Sequence, residues 1–166
     1  AIGEVEAEKW AKGLVSNLAK RPQGNDRSQI KSIYAGECDV AIINHYYYGK
    51  LTYSKNPDHR KWAKASIIVF PNQGVDDRGA HVNISGGGVV KFSKNKKLAI
   101  NFLEFLVTEE AQLLYGDVNF EYPINNKSKL PKRLEALGTF KEDSLLIEKI
   151  AKLAPKAQEI IDKVYW

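Results

Sequence analysis

The run Cys38-Asp39-Val40-Ala41-Ile42-Ile43 breaks directly into Asn44-His45-Tyr46-Tyr47-Tyr48-Gly49, and this junction restricts the fold more than any other stretch. Four consecutive apolar residues, three of them β-branched, read as a short strand buried on both faces, as in a parallel sheet covered by helices. Along a strand successive side chains point to opposite faces, so neighbouring tyrosines inside one would diverge. In a turn or first helical turn at the strand's C-terminal end, two neighbours can face one crevice. In open α/β sheets that crevice is where ligands sit.

The rest of the chain supplies the covering helices. Ala7, Trp10, Ala11, Leu14, Val15 and Leu18 repeat at i, i+3, i+4, i+7, i+8 and i+11, an amphipathic stripe that ends in Lys20-Arg21-Pro22. Asp26 with Gln29 three residues later predicts a capping box that opens a short helix, stopped by Gly36. Ser66–Phe70 reads as a second buried strand, and His81–Ser85 alternates with period two before Gly86-Gly87-Gly88. Leu98 to Leu106 is helical by its apolar spacing, and Thr108 caps a following helix over 109–115. The end reads as two helices, 144–152 and 155–164, the second with Pro155 in its first turn. Helices mixed with short strands argue an open α/β sheet with helices on its faces.

The 166 residues suffice for a genuine core, and 43% hydrophobic with 27% charged residues is ordinary for a soluble domain. No window has the roughly 18 uninterrupted apolar residues of a membrane span. The charge of +5 is spread without a dense basic block, so nucleic acid is not indicated as a partner. One cysteine, Cys38, excludes an intrachain disulfide and a cysteine-based zinc cage. There is no methionine and no signal-peptide pattern at the start, which sets the expectation of a processed product or a fragment.

The tyrosines are the residues with chemistry to offer. Phenolate oxygen is a hard anionic donor suited to Fe(III), and with a free pKa near 10 it binds as phenolate only when a strong Lewis acid replaces the proton. The alternative is that these rings fill a core or an interface. Gly86-Gly87-Gly88 lacks the Gly-Lys-Ser/Thr ending of a phosphate loop and suits a tight backbone crossing. Ser85 and His81 have hydrolase residue types, but no Gly-x-Ser-x-Gly elbow surrounds the serine. No acid–base pair or nucleophile stands out, so the chain is not read as an enzyme.

Several segments recur in one family in this order. They are Pro22-Gln23-Gly24-Asn25-Asp26, Ala35-Gly36-Glu37-Cys38-Asp39-Val40-Ala41, Asn44-His45-Tyr46-Tyr47-Tyr48-Gly49, Phe70-Pro71-Asn72-Gln73, His81-Val82-Asn83-Ile84-Ser85-Gly86 and Asn119-Phe120-Glu121-Tyr122-Pro123. The sequence closely resembles the C-terminal half of the periplasmic ferric-ion-binding proteins that feed iron-uptake ABC transporters. The resemblance implies the α/β, type II periplasmic-binding-protein fold, two lobes closing around Fe(III). It places the family's iron-binding pair on Tyr46 and Tyr47 and leaves Tyr48 as a packing residue. Asn25 and Asn44 match anion-contacting or metal-supporting asparagines, with a helix-entry turn and a strand cap as their plainer roles. His45 stands where the family has threonine or asparagine, and is either part of that surrounding layer or a hydrogen-bonded structural histidine.

By the same resemblance, residues 1–81 belong to the C-terminal lobe, 82–137 to the N-terminal lobe, and 138–166 return with the terminal helices. The family draws further ligands from sequence not contained here, so the N-terminal part of the same protein is an implied partner, together with an inner-membrane ABC permease. The implied cargo is Fe(III), with or without a synergistic anion. The implied place is the periplasm, or a lipid anchor outside the cytoplasmic membrane. The competing readings are a binding protein of this fold for an oxyanion or small organic solute, and an enzyme built on it.

Overall fold

The computed structural model describes residues 2–125 and 127–166. Its elements are α1 (Glu4–Ser16), α2 (Asp26–Tyr34), α3 (His45–Thr52), α4 (Pro57–Lys64), α5 (Lys96–Leu106), α6 (Glu109–Asn119), α7 (Lys132–Glu135) and α8 (Ile147–Lys163).

Sequence chemistry explains most helix starts. Asn25 accepts from the backbone N–H groups of Arg27 and Ser28 and so caps α2. The expected capping box on Asp26 and Gln29 is therefore corrected by one residue: the Asp26 carboxylate leaves its own helix, and Gln29 donates to the Gln23 carbonyl. Asn56 caps α4 with Pro57 in its first turn, and Thr108 caps α6 as its sequence implied. The two expected terminal helices are one, because α8 runs straight through Pro155. A proline removes one N–H from the helix ladder, and this helix tolerates that loss on an exposed surface.

The expected strands are the larger correction. Among the described residues no strand forms, and one parallel bridge, Ala80 with Glu142, is the sole sheet-like pairing. Cys38–Ile43 and Ser66–Phe70 form no regular element, and neither run is buried on both faces. Val40 and Ile42 are 82% and 67% exposed, Ile67 and Val69 84% and 72%, while the intervening Ala41, Ile43, Ile68 and Phe70 are half-buried. The alternation is that of strands lying on a helical layer. A strand becomes sheet only when a neighbour supplies its N–H and C=O partners, and no described segment lies alongside to do so. Among the described residues the expected α/β architecture is thus not formed.

Two small cores hold the centre. Ile30, Leu51 and Ala63 join α2, α3 and α4, with Ile43, Tyr48 and Trp62 packed around them. Phe120, Leu134 and Leu137 form the other, flanked by Tyr46, Tyr48, Tyr122 and Leu130. Tyr48 belongs to both, and its hydroxyl donates to the Ser66 carbonyl at 3.1 Å, the packing role read for it. Gly49 lets the second core reach α3: a Cβ there would lie 2.5 Å from the Phe120 ring. At the chain's other end α1 packs on α8, with Trp10 against Trp166 at 5.8 Å. Glu8 accepts from Lys12 and Lys163, and these bonds hold its carboxyl down to about 2.

The accessible surface is 12504 Å². A folded monomer of 18.7 kDa normally exposes about 8,300 Å². The excess is rich in apolar groups, including Leu98, Phe102 and Leu114 on α5 and α6.

Candidate metal centre

The site is built where extended chain turns into α3. Asn44, with φ −80° and ψ 130°, is the last extended residue, so His45, Tyr46, Tyr47 and Tyr48 occupy the first helical turn. There neighbouring side chains are about 100° apart instead of opposed, which is how adjacent tyrosines share a side. The Tyr46 and Tyr47 rings lie 4.5 Å apart, centre to centre, at 42°. Tyr46 rests its ring on the Phe120 core, and Tyr47 is half-buried beside it.

Two cations approach this pair. The Arg27 guanidinium stands 5.4 Å over the Tyr47 ring, and Lys50 Nζ stands 5.5 Å over that of Tyr46. Burial first, then the Tyr47 hydroxyl and the charges of Asp26 and Glu121, push the Tyr46 phenol above its ordinary value of 10. At neutral pH Tyr46 therefore keeps its proton, and a cation that binds it as phenolate must displace that proton.

The surrounding residues fall into place around the turn. Asn44 makes no cap to α3; its backbone N–H and its Nδ2 both donate to Asp26 Oδ1, at 2.6 and 3.1 Å. Asn25 is one residue from that carboxylate and caps α2, the plainer of its two expected roles. We expect Asn25→Ala to lower the stability of the complete protein by about 1 kcal/mol, measured by chemical denaturation; an unchanged midpoint would remove the cap from the account. His45 Nε2 donates to the Phe120 carbonyl at 2.7 Å, and its ring packs 5.0 Å from Tyr122 and 5.8 Å from Tyr46. Burial lowers the His45 pKa, which favours the neutral ring. In this arrangement the histidine's Nε2 is committed to a carbonyl.

Sequence reasoning missed Asp26, Arg27 and Lys50 as neighbours of the tyrosines. Lys50 had a legible signal, since it lies four residues after Tyr46 on one helix face. The contact of Asp26 with Asn44 spans 18 residues and has no local signature.

Among the described residues, no group of three or more His, Cys, Asp and Glu side chains is arranged to hold a metal. Residues 4–113 match the family model of the bacterial extracellular solute-binding proteins. The chain belongs to that family. Over all of its length it is 41% identical to iron uptake protein A1 of Synechocystis, of which it covers 46%. The Trichodesmium protein IdiA (FutA), solved in complex with iron and citrate ligands, superposes with a TM-score of 0.92 at 44% identity over 99% of this chain and 52% of that one. The ferric binding protein of Campylobacter jejuni gives 0.90 at 44% identity, over 96% and 50%. The chain spans about half the length of these relatives, which are named for iron uptake and ferric binding and not for an enzymatic reaction. Their fold is the periplasmic-binding-protein type, and this chain superposes on about half of it.

Proposed function

We propose that this chain supplies the tyrosine-bearing half of a ferric-iron-binding protein that captures Fe(III) outside the cytoplasmic membrane, in the periplasm, and hands it to an ABC permease. The observation that carries the reading is the pair of side-by-side phenols on the first turn of α3. Tyr46 and Tyr47 each give one hard oxygen, and a trivalent cation between them replaces the phenolic protons and offsets the repulsion of two adjacent phenolates. Residues 1–81 and 138–166 make up the lobe that carries the pair, and 82–137 crosses to the other lobe, its end from Phe120 to Leu137 packing back against α3. The rest of that lobe, with the remaining ligands, lies in the half of the relatives' length that this chain does not span.

A small anion completes the coordination beside Asn25 and Asn44. The citrate bound with iron in the Trichodesmium relative supports an anionic co-ligand, and Arg27 over Tyr47 supplies positive charge next to it.

The test is a titration of the complete protein with Fe(III). The expected result is a visible phenolate-to-iron charge-transfer band that saturates at one iron per protein. A protein that stays colourless while binding an oxyanion or organic solute would replace this reading. Acid reverses the binding. The Tyr46 phenol, raised above 10, is protonated across the physiological range, so binding releases its proton and affinity falls as pH falls. Both phenolates together predict uptake of more than one proton per iron released, measured by the band and by proton counting.

A further inference from the structure

We propose that Asp26 is the positioning residue of the tyrosine turn: it fixes where α3 begins, and hence where the Tyr46 and Tyr47 oxygens stand, without touching the metal. The inference rests on the reading of that pair as iron ligands.

The geometry is specific. One oxygen, Oδ1 of Asp26, receives both the backbone N–H and the side-chain Nδ2 of Asn44. Asn44 is the residue at which the chain passes from extended to helical. An N-cap asparagine ordinarily turns its side chain onto its own helix, and this one does not, because the carboxylate from α2 takes it. The entry of α3 is thereby tied to the first turn of α2 instead of being capped within itself. Asp26 is free for this because Asn25 has taken over the capping of α2. Gly24, at φ 82°, makes the left-handed turn that delivers Asn25 and Asp26 in this order.

The same short loop also carries Arg27, whose guanidinium covers the Tyr47 ring. Residues 24–27 thus hold both the start of the tyrosine turn and one face of a tyrosine. Tyr46 and Tyr47 follow Asn44 by two and three residues, so a shift at the Asn44 N–H moves both phenols together. The carboxylate also lies at the N-terminal ends of two helices, where negative charge is favourable.

The experiment compares Asp26→Ala and Asp26→Asn in the complete protein, with Tyr47→Phe as the control on the ligand reading. Fe(III) is supplied as its nitrilotriacetate complex, affinity is read by competition with EDTA, and the wavelength of the visible band reports the geometry at the phenolates. Hydrogen exchange of the Asn44 amide is followed in the iron-free protein. Asp26→Ala is expected to weaken iron binding by roughly 10–100-fold, the usual cost of losing a group that orients a metal ligand. It should also displace the band and speed exchange at Asn44. In Asp26→Asn a carboxamide oxygen still accepts from the Asn44 N–H, so amide protection, band position and most of the affinity should return. Unchanged affinity, band and exchange in Asp26→Ala would overturn the proposal. An Asn variant as impaired as the Ala variant would overturn it too, since charge and not the bond would then be what matters. Should Asp26→Ala fail to fold, Asp26→Ser, whose shorter side chain does not reach the Asn44 N–H, takes its place with the same readouts and the same deciding outcomes. Retention of the full band by Tyr47→Phe brings down the ligand reading and Asp26's role with it. Loss of the band there, alongside an indifferent Asp26→Ala, brings down only the role of Asp26.

Discussion

The double variant Tyr46→Phe/Tyr47→Phe of the complete protein is expected to lose the visible Fe(III) band entirely, and to lose iron affinity by more than the roughly 10–100-fold that follows removal of a group behind a metal ligand. The substitution removes two oxygens and keeps two rings. Ring retention matters because the Tyr46 ring packs on the Phe120, Leu134 and Leu137 core, so the variant should fold and the loss can be assigned to the donors. His45→Thr is the matched control. That change breaks the bond from His45 Nε2 to the Phe120 carbonyl and leaves a buried acceptor without its partner, which lowers stability. Its effect on iron should be mild. The measurement is an iron titration of wild type, both single tyrosine variants, the double variant and His45→Thr, each with an unfolding curve. A double variant that keeps band and affinity defeats the assignment of the pair, and a His45→Thr defect worse than either single tyrosine change would make the histidine a ligand.

Why the tyrosine pair was legible in the sequence and its setting was not is a matter of range. Helix periodicity is local, so the stripe from Ala7 to Leu18 found α1, and the apolar spacing from Leu98 found α5 to within two residues of its start. Asn56 followed by Pro57 and Asp58 carried the start of α4 just as openly, although the helix was not read from it. Strand patterning is local too, and exposure does alternate along 40–43 and 67–70, but a sheet needs a second strand, which a single segment cannot announce. Proline at 155 predicts a helix start only if the helix preceding it stops, and α8 does not stop. The adjacency of Tyr46 and Tyr47 at a strand end is written in consecutive residues. The carboxylate that holds their turn is 18 residues away, and Asp26 looked like a cap for its own helix because a capping box is a four-residue pattern.

The second large effect concerns the chain by itself. In α5 and α6, Leu98, Ile100, Phe102, Phe105, Leu113, Leu114 and Val118 are all exposed, whereas Leu103 and Leu106 are half-buried. Along 38–43 and 66–70, Val40, Ile42, Ile67 and Val69 add a second apolar face. Fully covering one such side chain stabilises by about 1.5–3 kcal/mol, so leaving a dozen or so in water is a cost that self-association relieves. The surface beyond that of an ordinary monomer, about 4,200 Å², is of the size that obligate interfaces bury. The strand-prone runs 38–43 and 66–70 add a sharper hazard, because apolar segments with unpaired backbone groups recruit other chains. Sedimentation of the 166-residue chain alone is therefore expected to show oligomers or aggregates at micromolar concentration. Co-expression with the half of the relatives' length that this chain does not span should convert these to a one-to-one complex with a protected, strand-containing core and the iron-dependent band. A monodisperse monomer of the isolated chain would mean that these apolar faces find cover within the chain, and that the second half is needed only for its ligands.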